Sequence, residues 1–386
     1  MADPTPELDL KLVLSHKRFL LQAKDLPDLD RTQLQQELLE AVSAHDLAPI
    51  YLSLCSDLAW EVDAAKLTAM QSKNTARLAE LEAKITDAQE NLGETEVKDA
   101  LLAKADYLCS IGDREAAVKA YKETEGKTAG SGNKMDLVFS QTRLAMFYCD
   151  WHLVKSLLAR AQQLCDDGGD WERKNRLKVY QAVFAMTTRD FKHAASLFHD
   201  ALATFSATEL FDYQRVIFYA VVTSIIALDR VALRAKVVDA PEVLTAIGAT
   251  PHLKEFLTSL YGCQYKEFFQ AFVEVITQIK SDMYLAPHVR YYMREVRVVV
   301  YSQFLESYKS VTLASMGAAF DVSPDFIDRE VAELIVAGRI NAKIDKISGV
   351  IETNRPDAKS ALYADTIKKG DILLSRIQKL SKVSDE

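Results

Sequence analysis

Ser323-Pro-Asp-Phe-Ile-Asp-Arg-Glu-Val-Ala-Glu-Leu-Ile-Val-Ala-Gly338 and, one arginine later, Ile340-Asn-Ala-Lys-Ile-Asp-Lys-Ile-Ser-Gly-Val-Ile-Glu-Thr353 are where the 386-residue chain changes its periodicity. Ser323 is a capping residue, and Pro324 takes the first helical position, where a missing N–H costs nothing. Phe326, Ile327, Val331, Leu334 and Ile335 then recur at helical spacing as an inward face, and Gly338 ends the helix. Residues 340–347 and 350–353 alternate around Ser348-Gly349, which reads as a β-hairpin. Upstream, Ser310 is placed to cap a short helix over 312–320, followed by a turn at Asp321-Val322. Helix, turn, helix and two-stranded wing make a winged-helix unit over 309–356, closed by Pro356.

Before this unit the chain is helical and repetitive. Turns at Gly112-Asp113, Cys149-Asp150 and Arg189-Asp190 are spaced 37 and 40 residues apart and divide three helix pairs. Ala105, Ala117 and Tyr121 occupy the small, small and aromatic positions of a tetratricopeptide-like unit, as do Ala182, Ala194, Phe198 and Ala201. The middle unit departs, with Thr142 and Val154 where alanine is usual. Such pairs bury their apolar faces by stacking into a curved array. Residues 62–92 read as one long helix whose Leu78, Leu81, Ile85, Ala88 and Leu92 form a seam for a packed helical hairpin. Tyr265, Phe268, Phe269, Phe272, Ile276 and Ile279 lie on one helical stripe, which is a core face.

After the winged unit, Ile367, Gly370, Leu374, Ile377 and Leu380 share a stripe that nothing downstream can cover. Composition supports a helical chain. The 13 Gly and 9 Pro make up about 6% of the residues, half the usual share of roughly 12%, so tight turns are few. The longest apolar run, 218–228, is shorter than the ~20 residues of a spanning helix. The start of the chain is acidic, with no apolar core of a signal peptide. Five scattered cysteines without a CxxC pair read as reduced thiols.

Residues that could carry chemistry do not assemble into a catalytic or metal pattern. Gly126-Lys127-Thr128 lacks the glycine five residues earlier that a phosphate loop needs, since Tyr121 stands there. The seven histidines include no H-x-H and no HExxH, and His193 and His199 cannot share a helix face. No catalytic, cofactor-binding or metal residue is expected, and no enzyme. The net charge of −8 disfavours nucleic acid. Within 309–355 six basic residues face seven acidic ones, and the second helix carries Asp325, Asp328, Glu330 and Glu333 against Arg329 alone. Phosphate would repel such a reading helix. Protein binding is expected instead, through the wing edge at Lys343, Ile344, Asp345, Val350, Ile351 and Glu352. A winged-helix nucleic-acid adaptor and a free tetratricopeptide co-chaperone stay as readings of other classes.

Several segments carry a resemblance: Ser259-Leu-Tyr-Gly-Cys-Gln-Tyr-Lys-Glu-Phe-Phe269, Ala286-Pro-His-Val-Arg-Tyr-Tyr292, Tyr301-Ser-Gln-Phe-Leu-Glu-Ser-Tyr308, Lys343-Ile-Asp-Lys346, Glu352-Thr-Asn-Arg-Pro-Asp357 and Thr366-Ile-Lys-Lys-Gly-Asp371. Gly168-Gly169-Asp170-Trp171 and Asn175-Arg-Leu-Lys-Val-Tyr180 extend it into the repeats. Over about 90–383 the chain resembles the PCI family, and within it the lid subunits of the 26S proteasome regulatory particle. The COP9 signalosome's PCI subunit one, the alternative, shares Asp282-Met-Tyr-Leu-Ala-Pro-His-Val-Arg290.

The resemblance implies a mostly α fold: a right-handed, tetratricopeptide-like helical-repeat solenoid, a winged-helix PCI module and a C-terminal helix. The expected divisions are 1–95 (N-terminal helices with a long hairpin arm), 96–308 (repeats, the PCI helical part from about 190), 309–356 (winged helix) and 357–386 (bundle helix). It implies a non-catalytic scaffold for ubiquitin-dependent protein degradation, in a hetero-oligomeric complex of cytoplasm and nucleus. The implied partners are the other lid PCI subunits, the lid deubiquitinase subunits and the ATPase ring, with no nucleic acid and no membrane. In the family, winged helices pack side by side in an arc and C-terminal helices gather in a bundle. The lid isopeptidase needs an H-x-H zinc motif, which this chain lacks.

Overall fold

The computed structural model describes residues 8–23, 30–354 and 358–384. Pro356 and Asp357 lie outside them. Two compact units are present, 1–295 and 296–386.

The first unit opens with α1 (Leu10–Gln22), α2 (Arg31–Ala44) and α3 (Ala48–Leu58). The long α4 (Ala64–Asn91) and α5 (Glu94–Ile111) then pack together as the expected hairpin. Leu81, Ile85 and Ala88 of the seam are buried, while Leu92, just past the helix, is exposed. Asn74 sits on that seam because the Tyr107 hydroxyl donates to its Oδ1 at 3.0 Å, which satisfies a polar group where leucine would be expected.

Three pairs follow: α5 with α6 (Arg114–Lys127), α7 (Ser131–Phe147) with α8 (Trp151–Asp166), and α9 (Trp171–Thr187) with α10 (Phe191–Leu202). One device closes all three. The residue two before each second helix is left-handed (Gly112, Cys149, Arg189). The next N–H then reaches back five residues, Asp113 to Leu108, Asp150 to Ala145 and Asp190 to Ala185. Each of those aspartates caps the second helix, accepting from the N–H of Ala116, Leu153 or His193. The repeat is therefore written in its turns as much as in its alanines. Ala105, Ala117, Tyr121, Ala182, Ala194, Phe198 and Ala201 are all fully buried. Thr142 substitutes for alanine by turning its hydroxyl onto the Val138 carbonyl at 2.7 Å.

The array continues through α11 (Tyr213–Ala227), α12 (Arg230–Leu233), α13 (Pro241–Ala246), α14 (Leu253–Tyr261), α15 (Tyr265–Lys280) and α16 (Val289–Glu306). Cys263 and Gln264 repeat the same turn between α14 and α15. Sequence reading passed over this fourth turn because glutamine replaces the aspartate. Helix α11 is buried along ten consecutive residues, Val216 to Ile225. That explains the apolar run: a helix apolar on every side belongs in the middle of a core. The aromatic stripe of α15 is core, with Phe256 of α14 stacked on Phe268 and Phe272 at 4.9 and 5.5 Å.

The second unit holds the winged helix: β1 (Ser310–Thr312), α17 (Leu313–Phe320), α18 (Pro324–Val336), β2 (Ala342–Asp345) and β3 (Val350–Thr353), followed by α19 (Ala358–Ser384). Ser323 caps α18 as expected, accepting from the Phe326 N–H. Two expectations are corrected. Ser310 does not cap α17; Thr312 does, accepting from the Ser315 N–H at 3.1 Å. Residues 310–312 are free to form a third strand, and the sheet order is β1-β3-β2. Phe326 is also not inward, since it lies in the exposed first turn of α18, whereas Ile327, Val331 and Leu334 are buried. The core closes with Phe320 against Tyr301 and Phe304 at 5.3 and 5.2 Å.

Candidate interaction surfaces

Strand order separates the six residues expected at the wing edge. Val350, Ile351 and Glu352 lie on β3, the central strand, which is antiparallel to β1 on one side and β2 on the other. Their main-chain groups are taken up within the sheet, and Ile351 is fully buried between Val311 and Ile344. They are not edge residues, and the cause is the strand at 310–312. Lys343, Ile344 and Asp345 lie on β2, which among the described residues is a true edge. Lys343 sits across from Glu352, a favourable cross-strand pair. Asp345 is committed to the turn: it accepts from the Ile347 N–H at 3.0 Å and from the Ser348 hydroxyl. The Ser348 hydroxyl and then that N–H hold its carboxyl below the usual carboxylate range. This fold of the turn leaves Ile347 fully exposed at the wing tip.

Helix α19 presents the second surface. Every residue whose side chain is described between 360 and 381 is exposed. Ile367, Leu374, Ile377 and Leu380 are 56–73% exposed, and a Cβ added at Gly370 would meet nothing within 4 Å. Tyr363 continues the stripe one turn earlier, with Leu373 at its flank, while Ile372 falls on the opposite side. Sequence reading missed Leu362, Tyr363, Ile372 and Leu373. Their signal was present in position: Tyr363 extends the stripe, Leu362 and Leu373 flank it and Ile372 lies opposite. Val336 and Phe326 of α18 are exposed as well.

Groups that might have carried chemistry are structural. The His199 Nε2 lies 2.8 Å from the Ser224 hydroxyl, whose own proton goes to the Ala220 carbonyl. Nε2 therefore bears the hydrogen, and burial pushes the imidazole down to about 4. His288 is fixed between the Arg189 Nε–H at its Nδ1 and the Thr187 carbonyl at its Nε2, both at 2.9 Å. Asp282 is fully buried and accepts from the N–H groups of Tyr284 and Leu285, the Tyr219 hydroxyl and Arg215. Thr128 bonds back to the Thr124 carbonyl and ends α6. Among the described residues no His, Cys, Asp and Glu group could hold a metal ion, and no helix is long and apolar enough to cross a membrane. On α18, Glu330 pairs with Arg297 and Asp328 with Lys346, each at 3.2 Å.

Comparison with known proteins places the two units in one family. Residues 63–236 match the family described as 26S proteasome subunit RPN7, 273–355 match the PCI domain, and 363–383 match the 26S proteasome regulatory subunit RPN7/PSMD6 C-terminal helix. The 26S proteasome non-ATPase regulatory subunit 6 homolog of Arabidopsis thaliana is 56% identical over 374 residues, 97% of each chain. The Dictyostelium discoideum 26S proteasome non-ATPase regulatory subunit 6 is 47% identical, covering 91% of this chain and 92% of its own. The Saccharomyces cerevisiae 26S proteasome regulatory subunit RPN7 is 35% identical, covering 98% and 94%.

Proposed function

The chain belongs to the RPN7/PSMD6 family of 26S proteasome regulatory subunits, and from that premise we propose that it is a non-catalytic scaffold of the regulatory particle lid. In this reading it supports ubiquitin-dependent degradation, in cytoplasm and nucleus, by holding the other PCI subunits and the deubiquitinase subunits of the lid over the ATPase ring. Two surfaces do the holding. The β2 edge at Lys343, Ile344 and Asp345 takes a neighbouring winged helix, with the exposed Ile347 at its tip. The α19 stripe at Ile367, Gly370, Leu374, Ile377 and Leu380 takes the helices of a bundle. The expected divisions at 95, 308 and 356 follow from the same proposal.

The observation that carries it is α19 itself, with eight large apolar side chains more than half exposed along one helix. Isolated helices gain most of their stability from packing one face, and contiguous apolar surface of this kind marks an interaction site. Ile372, opposite the stripe, implies a seat that wraps the helix on more than one side. The test is a chain ending at residue 357, purified alone and from cells alongside the lid. We expect a folded protein that no longer co-purifies with lid subunits. Normal incorporation of the shortened chain would refute the proposal.

A further inference from the structure

Helix α1 is the first described element, yet its partners lie far along the chain. The Asp9 carboxylate, which caps α1, accepts from Arg143 Nε of α7 at 2.7 Å, and the Asp9 N–H donates to the Glu209 carbonyl at 3.0 Å. Arg143 also donates to Tyr180 of α9. Nine residues on, Arg18 donates to the carbonyl of Phe147 at the end of α7 at 2.6 Å, pairs with Asp57 of α3 at 3.0 Å, and lies over the Phe147 ring. Between these two locks Leu14 is fully buried in a cluster with Leu38, Ile50, Leu54 and Phe147. From Leu8 to Leu21 no side chain is exposed. The helix is held on several sides, by α2 and α3 as well as α7.

The fit is incomplete on one flank. A pocket of about 280 Å³, open to the surface, lies between Leu12 and His16 of α1 and Phe211 and Arg215, and Tyr284 lines it. Among the described residues the buried Tyr284 hydroxyl has no hydrogen-bond partner. A continuous core satisfies such groups. We propose that α3, α7 and the α11 flank form a helix-binding groove and that α1 is its ligand in cis. The groove recognises an amphipathic helix with a carboxylate at its N-cap and a guanidinium nine residues later, whether or not that helix is joined to the chain. Its occupant in this chain is the segment 8–23. The short connection to α2 keeps α1 in place through an effective concentration on the order of millimolar.

The test uses the full-length protein with a protease site inserted between Ala23 and Asp30, cut after folding. We expect the cut α1 to co-elute with the remainder, and a labelled peptide of residues 8–23 in excess to replace it. The uncut chain should take up less than about a tenth as much peptide, because the joined helix outcompetes it. Labelled peptides carrying Asp9→Ala or Arg18→Met leave the protein itself untouched, and should compete at least tenfold more weakly. If the cut chain never exchanges its helix, or loses it only by unfolding without rescue by added peptide, α1 is part of the core and the proposal fails. It fails equally if the Asp9→Ala and Arg18→Met peptides compete as well as the parent.

Discussion

Helix α1 has 13 residues and α19 has 27. From Leu8 to Leu21 the shorter one exposes no side chain, and from 360 to 381 the longer one buries none that is described. Both carry leucines at helical spacing, so the difference lies in what the rest of the chain offers each. For α1 there are matched counterparts, Arg143 for Asp9, the Phe147 carbonyl for Arg18 and an aliphatic cluster for Leu14. For α19 the described structure offers solvent. The first helix fills a seat offered by its own chain, and the last extends an unfilled contact.

That contrast can be broken most forcefully at Leu14. Leu14→Ala should cost about 4 kcal/mol, transfer energy plus the cavity left behind, and lower the unfolding midpoint of the isolated chain by several degrees. Asp9→Ala should cost less, about 2 kcal/mol, from losing the helix cap and the ion pair with Arg143, which keeps Tyr180, Ser140 and Glu209. Denaturant titration of each variant gives both values. An effect near zero from either would make α1 as dispensable to the monomer as α19.

Acidity sharpens the same comparison. Asp9 is held below its usual range by Lys11 and Arg143, which together outweigh a larger opposing effect of burial. A carboxyl with a depressed folded pKa contributes stability above its unfolded pKa and loses it as pH falls through the folded one. His199, pushed down to about 4, works in the same direction, because the unfolded imidazole takes up a proton below about 6.5 and the folded one does not. The first unit should therefore lose stability through His199 as pH falls from about 6.5 to 4, and through Asp9 only below about 4. His199→Gln keeps a donor for Ser224 without a titrating ring, so it should flatten this slope in melts taken across that window. An unchanged slope would contradict the assignment.

The smallest effect on the monomer is expected in α19. Leu374→Asp with Ile377→Asp should move its melting temperature by no more than a surface substitution does, within about 0.5 kcal/mol, while abolishing co-purification with the lid. A large drop in melting temperature would mean the stripe packs within this chain.

The sequence made the helix pairs legible because a capping Asp recurs at 113, 150 and 190, between small and aromatic residues at repeat spacing. The fourth turn lost the aspartate and went unread. The apolar stripe of α19 was visible because its residues recur at helical spacing. Less visible was β1: Ser310-Val-Thr is too short for alternation to show, and its partner lies forty residues away. That one strand moved Val350, Ile351 and Glu352 from the edge to the centre. The seat of α1 was invisible for a related reason, since its locks join residues more than a hundred positions apart and follow no period.

Hydrogen exchange tests the central claim most directly, read on the isolated chain and on the chain assembled with lid subunits. The account predicts that amides of α19 exchange orders of magnitude faster than those of α7 and α11 in the isolated chain and become protected on assembly. Equal, strong protection of α19 in both states would show that this helix is already packed, and would contradict it.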